Sequence, residues 1–251
     1  MKIQYASDLH LEFPENKDFL KYKPLKKIGD ILLLAGDIVP FAVLEKHRDF
    51  FSYLSDNFED IYWIPGNHEY YYFDLKDRSS VFHEKLFSNV HLLNNTVVHY
   101  NDFELICSTL WSNINPANEW KIFNGLNDFR LIKDHGNDFS IMRYNQLHQK
   151  SVDFISNALD TAGKKSIVLT HHAPTLYNYP DKYKGSALND AFAVELFDLI
   201  DNKKPTAWVY GHTHSNTDDF SLGETRVVTN QLGYVKYNEH HSFSNIVAMD
   251  I

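Results

Sequence analysis

Five short apolar runs, each ending abruptly in a cluster of glycine, carboxylate, amide or imidazole side chains, limit what this chain can fold into. Residues 3–6 lead into Ser7-Asp8-Leu9-His10, and residues 31–35 into Gly36-Asp37. Residues 61–64 are followed by Pro65-Gly66-Asn67-His68-Glu69, residues 167–169 by Thr170-His171-His172, and residues 207–210 by Gly211-His212-Thr213-His214. Runs this short, β-rich and apolar on both faces read as buried central strands. Between them, residues 41–58, 75–87, 141–162 and 191–200 carry helical periodicity. Strand, polar turn and helix in alternation predict an α/β fold with helices on the faces of the sheet. Residues 97–100 and 103–108 flank Asn101-Asp102 as a hairpin, residues 218–229 form a second, and residues 246–249 read as a closing strand. The second half therefore mixes antiparallel pairing into the sheet.

Ligands of open α/β sheets bind beyond the carboxyl ends of the strands. Side by side, the five strand ends would bring Asp8, His10, Asp37, Asn67, His171, His212 and His214 to one place. Two carboxylates, one amide oxygen and four imidazoles form a sulfur-free donor set suited to Mn²⁺, Fe, Zn²⁺ or Ni²⁺. Seven protein ligands are too many for one ion that keeps an open position, but they divide between two ions sharing a carboxylate. Asp8 with His10, and His212 with His214, sit two residues apart, which on an extended segment places both on one side. Gly36, Gly66 and Gly211 precede their ligands, where a side chain would crowd the turn. Each piece has a plainer reading. Gly-Asp after a strand is commonly a turn, Asn67 could cap a helix, and His171-His172 could be a buried pair. Their occurrence together, in order and each at a strand end, selects the metal reading.

Composition narrows the partners. At 251 residues and 43% hydrophobic content the chain can bury a sizeable core, and the length suits one domain over residues 1–251. A formal charge of -9 opposes a broad basic face for nucleic-acid polymers or anionic membranes, though bound cations would reverse the sign locally. The single cysteine, Cys107, rules out an intrachain disulfide and thiolate zinc sites, and its apolar surroundings mark a structural thiol. No run is long enough to span a bilayer, and residues 1–6 lack the apolar core of a signal peptide, so a cytoplasmic setting is expected.

With these motifs in order, the sequence resembles the calcineurin-like metallophosphoesterases. Their five blocks are Asp-x-His, Gly-Asp, Gly-Asn-His-Asp/Glu, a histidine after a strand, and Gly-His-x-His, and all stand here between Asp8 and His214. The resemblance implies a four-layer α/β/β/α sandwich with mixed sheets and two divalent ions at its edge, Mn or Fe ahead of Zn or Ni. It implies that Asp8, His10, Asp37 and His214 hold one ion, that Asp37, Asn67, His171 and His212 hold the other, and that His68 faces the substrate. It also implies attack on phosphorus by a metal-bridging hydroxide, with His68 stabilising charge or protonating the leaving oxygen. Asp37 is followed by Ile38-Val39-Pro40-Phe41, so the Asp and Arg of the Ser/Thr protein phosphatases are missing, as is the tyrosine ligand of purple acid phosphatases. His68 stands where the lipid A pathway pyrophosphatases place Arg. The likeness runs instead to small bacterial phosphoesterases related to cyclic-nucleotide phosphodiesterases, which implies a small phosphorylated substrate, monoester or diester.

Residues 109–135 follow a strand and are rich in aromatics and amides. They read as a packed surface loop or as a lid, with Trp111 stacking on a ring and Arg130 near phosphate; His172 reads as a neighbour of the metal site that could also meet substrate. Tyr177, Tyr179, Tyr183 and residues 230–234 have weaker claims to the pocket. Glu69 reads as a capping or orienting group. Two alternatives come from other classes: a metal-dependent nuclease, and a non-enzymatic scaffold of the same fold. The acidic charge opposes the first, and the intact ligand set with His68 opposes the second.

Overall fold

Two six-stranded sheets dominate the computed structural model, which describes residues 1–251. The strands of the first half are β1 (Lys2–Ala6), β2 (Ile31–Leu34), β3 (Asp60–Trp63), β4 (Phe82–Phe87), β5 (Val90–Asn94), β6 (Thr96–His99) and β7 (Phe103–Ser108). After a small ribbon of β8 (Lys133–Asp134) and β9 (Asn137–Asp138) come β10 (Lys165–Thr170), β11 (Ala207–Tyr210), β12 (Phe220–Leu222), β13 (Thr225–Thr229) and β14 (Ala248–Asp250). One sheet has the order β14-β1-β2-β3-β5-β4 and the other β12-β13-β11-β10-β7-β6. In each, four parallel central strands are flanked by an antiparallel strand at either edge.

The period-two alternation of strand side chains builds the layers. Ile31 and Leu33 of one sheet meet Leu105, Ile167, Leu169 and Val209 of the other, forming the cluster between the sheets. Leu32, Leu34, Ile61 and Trp63 point away and pack under Phe51 and Leu54 of α1 (Arg48–Asn57). On the far side, Ile106, Val168 and Trp208 pack against Ile155 and Leu159 of α2 (Ile141–Thr161) and against Ile200, from a short helix at Phe197–Lys203. Central strands buried on both faces explain the unbroken apolar runs. Each fully buried Leu or Ile contributes about 1.5–3 kcal/mol relative to exposure. The result is α/β/β/α, as the resemblance implied. No helix is long and apolar enough to cross a membrane.

Three expectations need correction. Residues 75–87 form no helix: a single 3₁₀ turn at Leu75–Asp77 gives way to β4, where side chains alternate in exposure and pair with β5. Residues 191–200 start too early, because Glu195 accepts from the amide of Phe197 and from the Thr175 hydroxyl, and the helix begins only at Phe197. Residues 41–58 divide into a 3₁₀ segment, Phe41–His47, followed by α1.

Candidate active site

The carboxyl ends of β1, β2 and β3 lie side by side in one sheet, and those of β10 and β11 in the other. Gly211 N donates to the His171 carbonyl at 2.9 Å, joining the ends of β11 and β10 within the second sheet, and Ser7 N to the Asn230 carbonyl at 3.0 Å, tying the first sheet to the second. All seven candidate ligands meet at this seam. Potential ligand atoms of Asp8, His10, Asp37 and His214 fall within 4.8 Å of one another, as do those of Asp37, His171 and His212. Asn67 Oδ1 is 3.2 Å from His171 Nε2. Asp37 belongs to both groups.

The backbone that delivers them is not extended. Asp8, His10, Asp37, His212 and His214 all have positive φ, between 47° and 74°. The expectation of two ligands on one side of an extended segment is therefore corrected: left-handed turns after β1 and β11 bring Asp8 and His10, and His212 and His214, inward. Left-handed non-glycine residues cost on the order of 1–3 kcal/mol each and gather where function requires them. At Gly36, φ is +85°, and an added Cβ would lie 2.5 Å from His171 Nδ1. At Gly66 an added Cβ would lie 2.2 Å from Asp37 Oδ1. Both glycines let a ligand from elsewhere close on the backbone.

Hydrogen bonds fix the orientation of all four imidazoles. His10 Nδ1 donates to Glu12 Oε1 at 3.1 Å, His214 Nδ1 to Glu239 Oε2 at 2.8 Å, His171 Nδ1 to the Ala35 carbonyl at 2.8 Å, and His212 Nε2 to the Ala191 carbonyl at 3.1 Å. Each ring thereby turns its other nitrogen towards the carboxylates. His10 Nε2 and His214 Nε2 are 3.0 Å apart, and His171 Nε2 and His212 Nδ1 are 3.0 Å apart. Lone pairs this close to each other and to Asp8 and Asp37 repel unless positive charge lies among them. The ionisation of the site expresses the same demand. Burial opposes charge on His171, yet Asp37 holds it up at about 9. Burial likewise opposes charge on His214, yet Asp8 and Glu239 hold it up at about 10. This donor set fits two divalent cations.

A further layer of side chains holds the donors. Asn67 Nδ2 donates to Asp128 Oδ1 at 2.9 Å, which aims Oδ1 at His171, and the Tyr71 hydroxyl donates to the same oxygen at 2.8 Å. Glu69 is fully buried and accepts from the amides of Asp37, Ile38, Val39 and Gly66 and from the Trp63 indole, clamping the turn after β2 to the turn after β3. Burial and the Asp37 charge push its carboxyl up to about 8, against the pull of those donors. Asp8 accepts from the His212 amide at 3.1 Å, and Asp37 from the His68 amide at 2.9 Å.

His68 stands beside the donors rather than among them. Its Nδ1 donates to Glu12 Oε1 at 3.2 Å, its ring stacks on Tyr71 at 4.1 Å, and its Nε2 lies 3.3 Å from the Tyr234 hydroxyl. Burial lowers the His68 imidazole, but the charges of Asp37 and Glu12 outweigh it and leave the group above the usual histidine value. The ring borders a cleft of about 590 Å³ that also touches Asp37, Asn67, His212 and His214.

The residues given weaker roles divide. Trp111 is buried, 3% exposed, with its ring against Tyr70, Phe139, Tyr144 and His172. It fills the core and cannot stack on a ligand. Arg130 is exposed, bonds the Asn124 carbonyl and does not line the cleft. His172 is fully buried behind His212, 3.1 Å from the Tyr144 hydroxyl, and does not line the cleft either. From residues 109–135 it is Gly125, Leu126, Asn127, Asp128 and Leu131 that form the wall. Tyr179 and Tyr183 line the cleft, while Tyr177 does not. Glu12 and Asp128 went unread in the sequence. Glu12 continues the two-residue spacing of Asp8 and His10, a signal that was present, whereas Asp128 carries no local mark.

Comparison with known proteins gives a consistent picture. A family model described as calcineurin-like phosphoesterase matches residues 1–216. Uncharacterized protein L509 of Acanthamoeba polyphaga mimivirus is 34% identical over 275 residues, spanning 99% of this chain and 96% of that relative. Among solved structures, the fold is similar to that of phosphopantetheinyl hydrolase (PptH) from Mycobacterium tuberculosis, with a TM-score of 0.75 at 14% identity, covering 99% of this chain and 95% of that one. TT1561 of Thermus thermophilus aligns with a TM-score of 0.50 at 16% identity, over 92% and 88% of the two chains.

Proposed function

As a member of the calcineurin-like phosphoesterase family, this protein, we propose, hydrolyses a small phosphate ester, accepting phosphodiesters at least as well as phosphorylated proteins. What supports the reading most is the set of four imidazoles whose outward nitrogens are all committed to acceptors, leaving seven donor groups facing one another around Asp37. Asp8, His10, Asp37 and His214 would hold one divalent ion and Asp37, Asn67, His171 and His212 the second, with manganese or iron best suited to the set. Bound there, the ions supply Lewis acidity, making water acidic enough to attack near neutral pH and neutralising phosphoryl oxygens.

The chain's own groups do the rest. The Glu12 carboxylate keeps the proton of His68 on Nδ1 and directs Nε2 into the cleft. Protonated at both nitrogens, His68 donates from Nε2 to the oxygen on which negative charge develops, and can pass that proton to the leaving group. Tyr71 under its ring and Tyr234 at Nε2 keep that direction before substrate arrives. Asp128 and Glu239 keep Asn67 and His214 facing inward. A cytoplasmic setting agrees with the lone, buried thiol of Cys107.

The test is turnover of bis-nitrophenyl phosphate, nitrophenyl phosphate and a phosphoserine peptide by manganese-loaded protein. The small esters should be hydrolysed, the diester at least as fast as the peptide. Selective peptide turnover, or none on any ester with metal fully bound, would overturn the reading.

A further inference from the structure

The cleft beside the site is lined by 25 residues, and none of them is lysine or arginine. Its formal charges are the acids Glu12, Asp37 and Asp128 and the histidines His68, His212 and His214, all of which belong to the machinery described above. Beyond them the wall is uncharged and largely apolar. Pro40 and Val43 come from one turn and Leu131 from a short helix, and Leu126 and Leu188 from the contact where Gly125 approaches Leu188. Tyr72 joins this wall with most of its ring exposed. Lys182 lies over the Tyr183 ring, 4.6 Å from its centre, but does not enter the lining. A volume of about 590 Å³ is that of a small-molecule pocket and leaves room for a substantial group beyond one phosphoryl unit.

Resting on the phosphoesterase reading, we propose that the substrate is a phosphodiester whose second, non-leaving arm is uncharged and apolar or aromatic. Two bound ions and His68 answer the single negative charge of a diester. A further phosphate or carboxylate on the arm would leave water for a wall that offers it no cation and two nearby carboxylates, an unpaired burial that proteins avoid. An apolar arm exchanges water for Val43, Leu126, Leu131 and Leu188, which is the favourable direction of transfer. The same absence of cations opposes a nucleic-acid polymer, whose neighbouring phosphates need a basic track.

The experiment uses two nitrophenyl phosphodiesters with the same leaving group, one with a phenylbutyl arm and one with a carboxybutyl arm. Their kcat/KM values are compared on manganese-loaded protein, and binding of the matching non-hydrolysable phosphonates is measured by calorimetry. The apolar arm should be preferred by about tenfold or more, since one apolar group in a fitted pocket is worth roughly that factor. Leu131→Arg and Leu188→Arg, on different segments, should each lower the ratio at least tenfold by giving the carboxylate a partner; either variant alone suffices if the other does not fold. Equal or reversed preference in the unaltered protein, or a ratio that neither arginine moves, overturns the proposal. If neither diester is hydrolysed while the phosphonates still bind with the apolar preference, hydrolysis fails and the arm preference stands. If both turnover and preferential binding are absent, both fall.

Discussion

One oxygen of Glu12 lies 3.2 Å from Nδ1 of His68 and 3.1 Å from Nδ1 of His10. A single carboxylate thus sets the tautomer of a candidate metal donor and of the candidate proton donor together. The Ser/Thr protein phosphatase pattern has an aspartate after the Gly-Asp block for the histidine; here the orienting carboxylate comes from the turn after β1. Burial raises Glu12, but His10 and His68 outweigh it and hold its carboxyl down at about 2.

Glu12→Gln should therefore lower kcat by roughly 10–100-fold, the usual cost of removing a residue that orients a ligand, while KM for a small diester changes little. Glu12→Asp should recover part of the loss. Steady-state kinetics on both variants, with metal content measured alongside, checks this. Unchanged kcat in the Gln variant would show that His68 needs no such partner.

His68→Gln should cost about a hundredfold or more in kcat, within the ~10²–10⁴ range for acid–base groups, with both ions retained. Gln reaches into the cleft but carries no transferable proton. Loss of metal from this variant would move His68 from the proton-donor role to that of a ligand.

Asp128→Ala removes the acceptor of both Asn67 Nδ2 and the Tyr71 hydroxyl. Freed to rotate, Asn67 no longer presents Oδ1 reliably, and metal affinity should fall about 10–100-fold. Activity should return as metal is added in excess. A variant that stays inactive at saturating metal would place Asp128 in the chemistry itself.

Acid sensitivity of the fold has a source far from the cleft. His83 Nε2 and His91 Nδ1 are 2.8 Å apart on the β4–β5 hairpin, so both rings cannot be charged without breaking the contact. Burial first, and then the His83 charge, lowers the His91 pKa. The unfolded chain therefore takes up this proton at higher pH than the folded chain does. Stability from His91 is complete above ~6.5 and is lost as pH falls through the lowered folded value, by at most about 1.4 kcal/mol per pH unit. Denaturant unfolding at pH 7.5 and pH 5.5 should show a smaller difference for His91→Gln than for the unaltered protein. An equal or larger difference contradicts the assignment.

Much of the fold was legible because the central strands are buried on both faces and announce themselves as apolar runs that stop at polar turns carrying glycine, carboxylate or imidazole. The convergence of Asp8, Asp37, Asn67, His171 and His212 followed from strand ends alone. The edges were harder to read. β4 is half exposed and its alternation breaks at the register shift between Lys85 and Phe87, so Phe82 and Leu86, four apart, read at helical spacing until β5 is seen beside it. Trp111 looked like a ligand platform because its segment follows a strand, but long-range packing on Phe139 and Tyr144 buries it. Asp128 was unreadable for the same reason: its partners, Asn67 and Tyr71, are some 60 positions away. The left-handed turns at Asp8 and His214 also escaped, since local sequence favours glycine there and only the tertiary contacts impose the conformation.

Metal stoichiometry tests the dinuclear reading most directly. Protein stripped with chelator, titrated with Mn²⁺ and freed of excess should carry two equivalents per chain by elemental analysis, and Asp37→Ala should carry markedly less of both. Saturation at a single equivalent, or an Asp37→Ala variant that still holds two, would contradict the shared-carboxylate site.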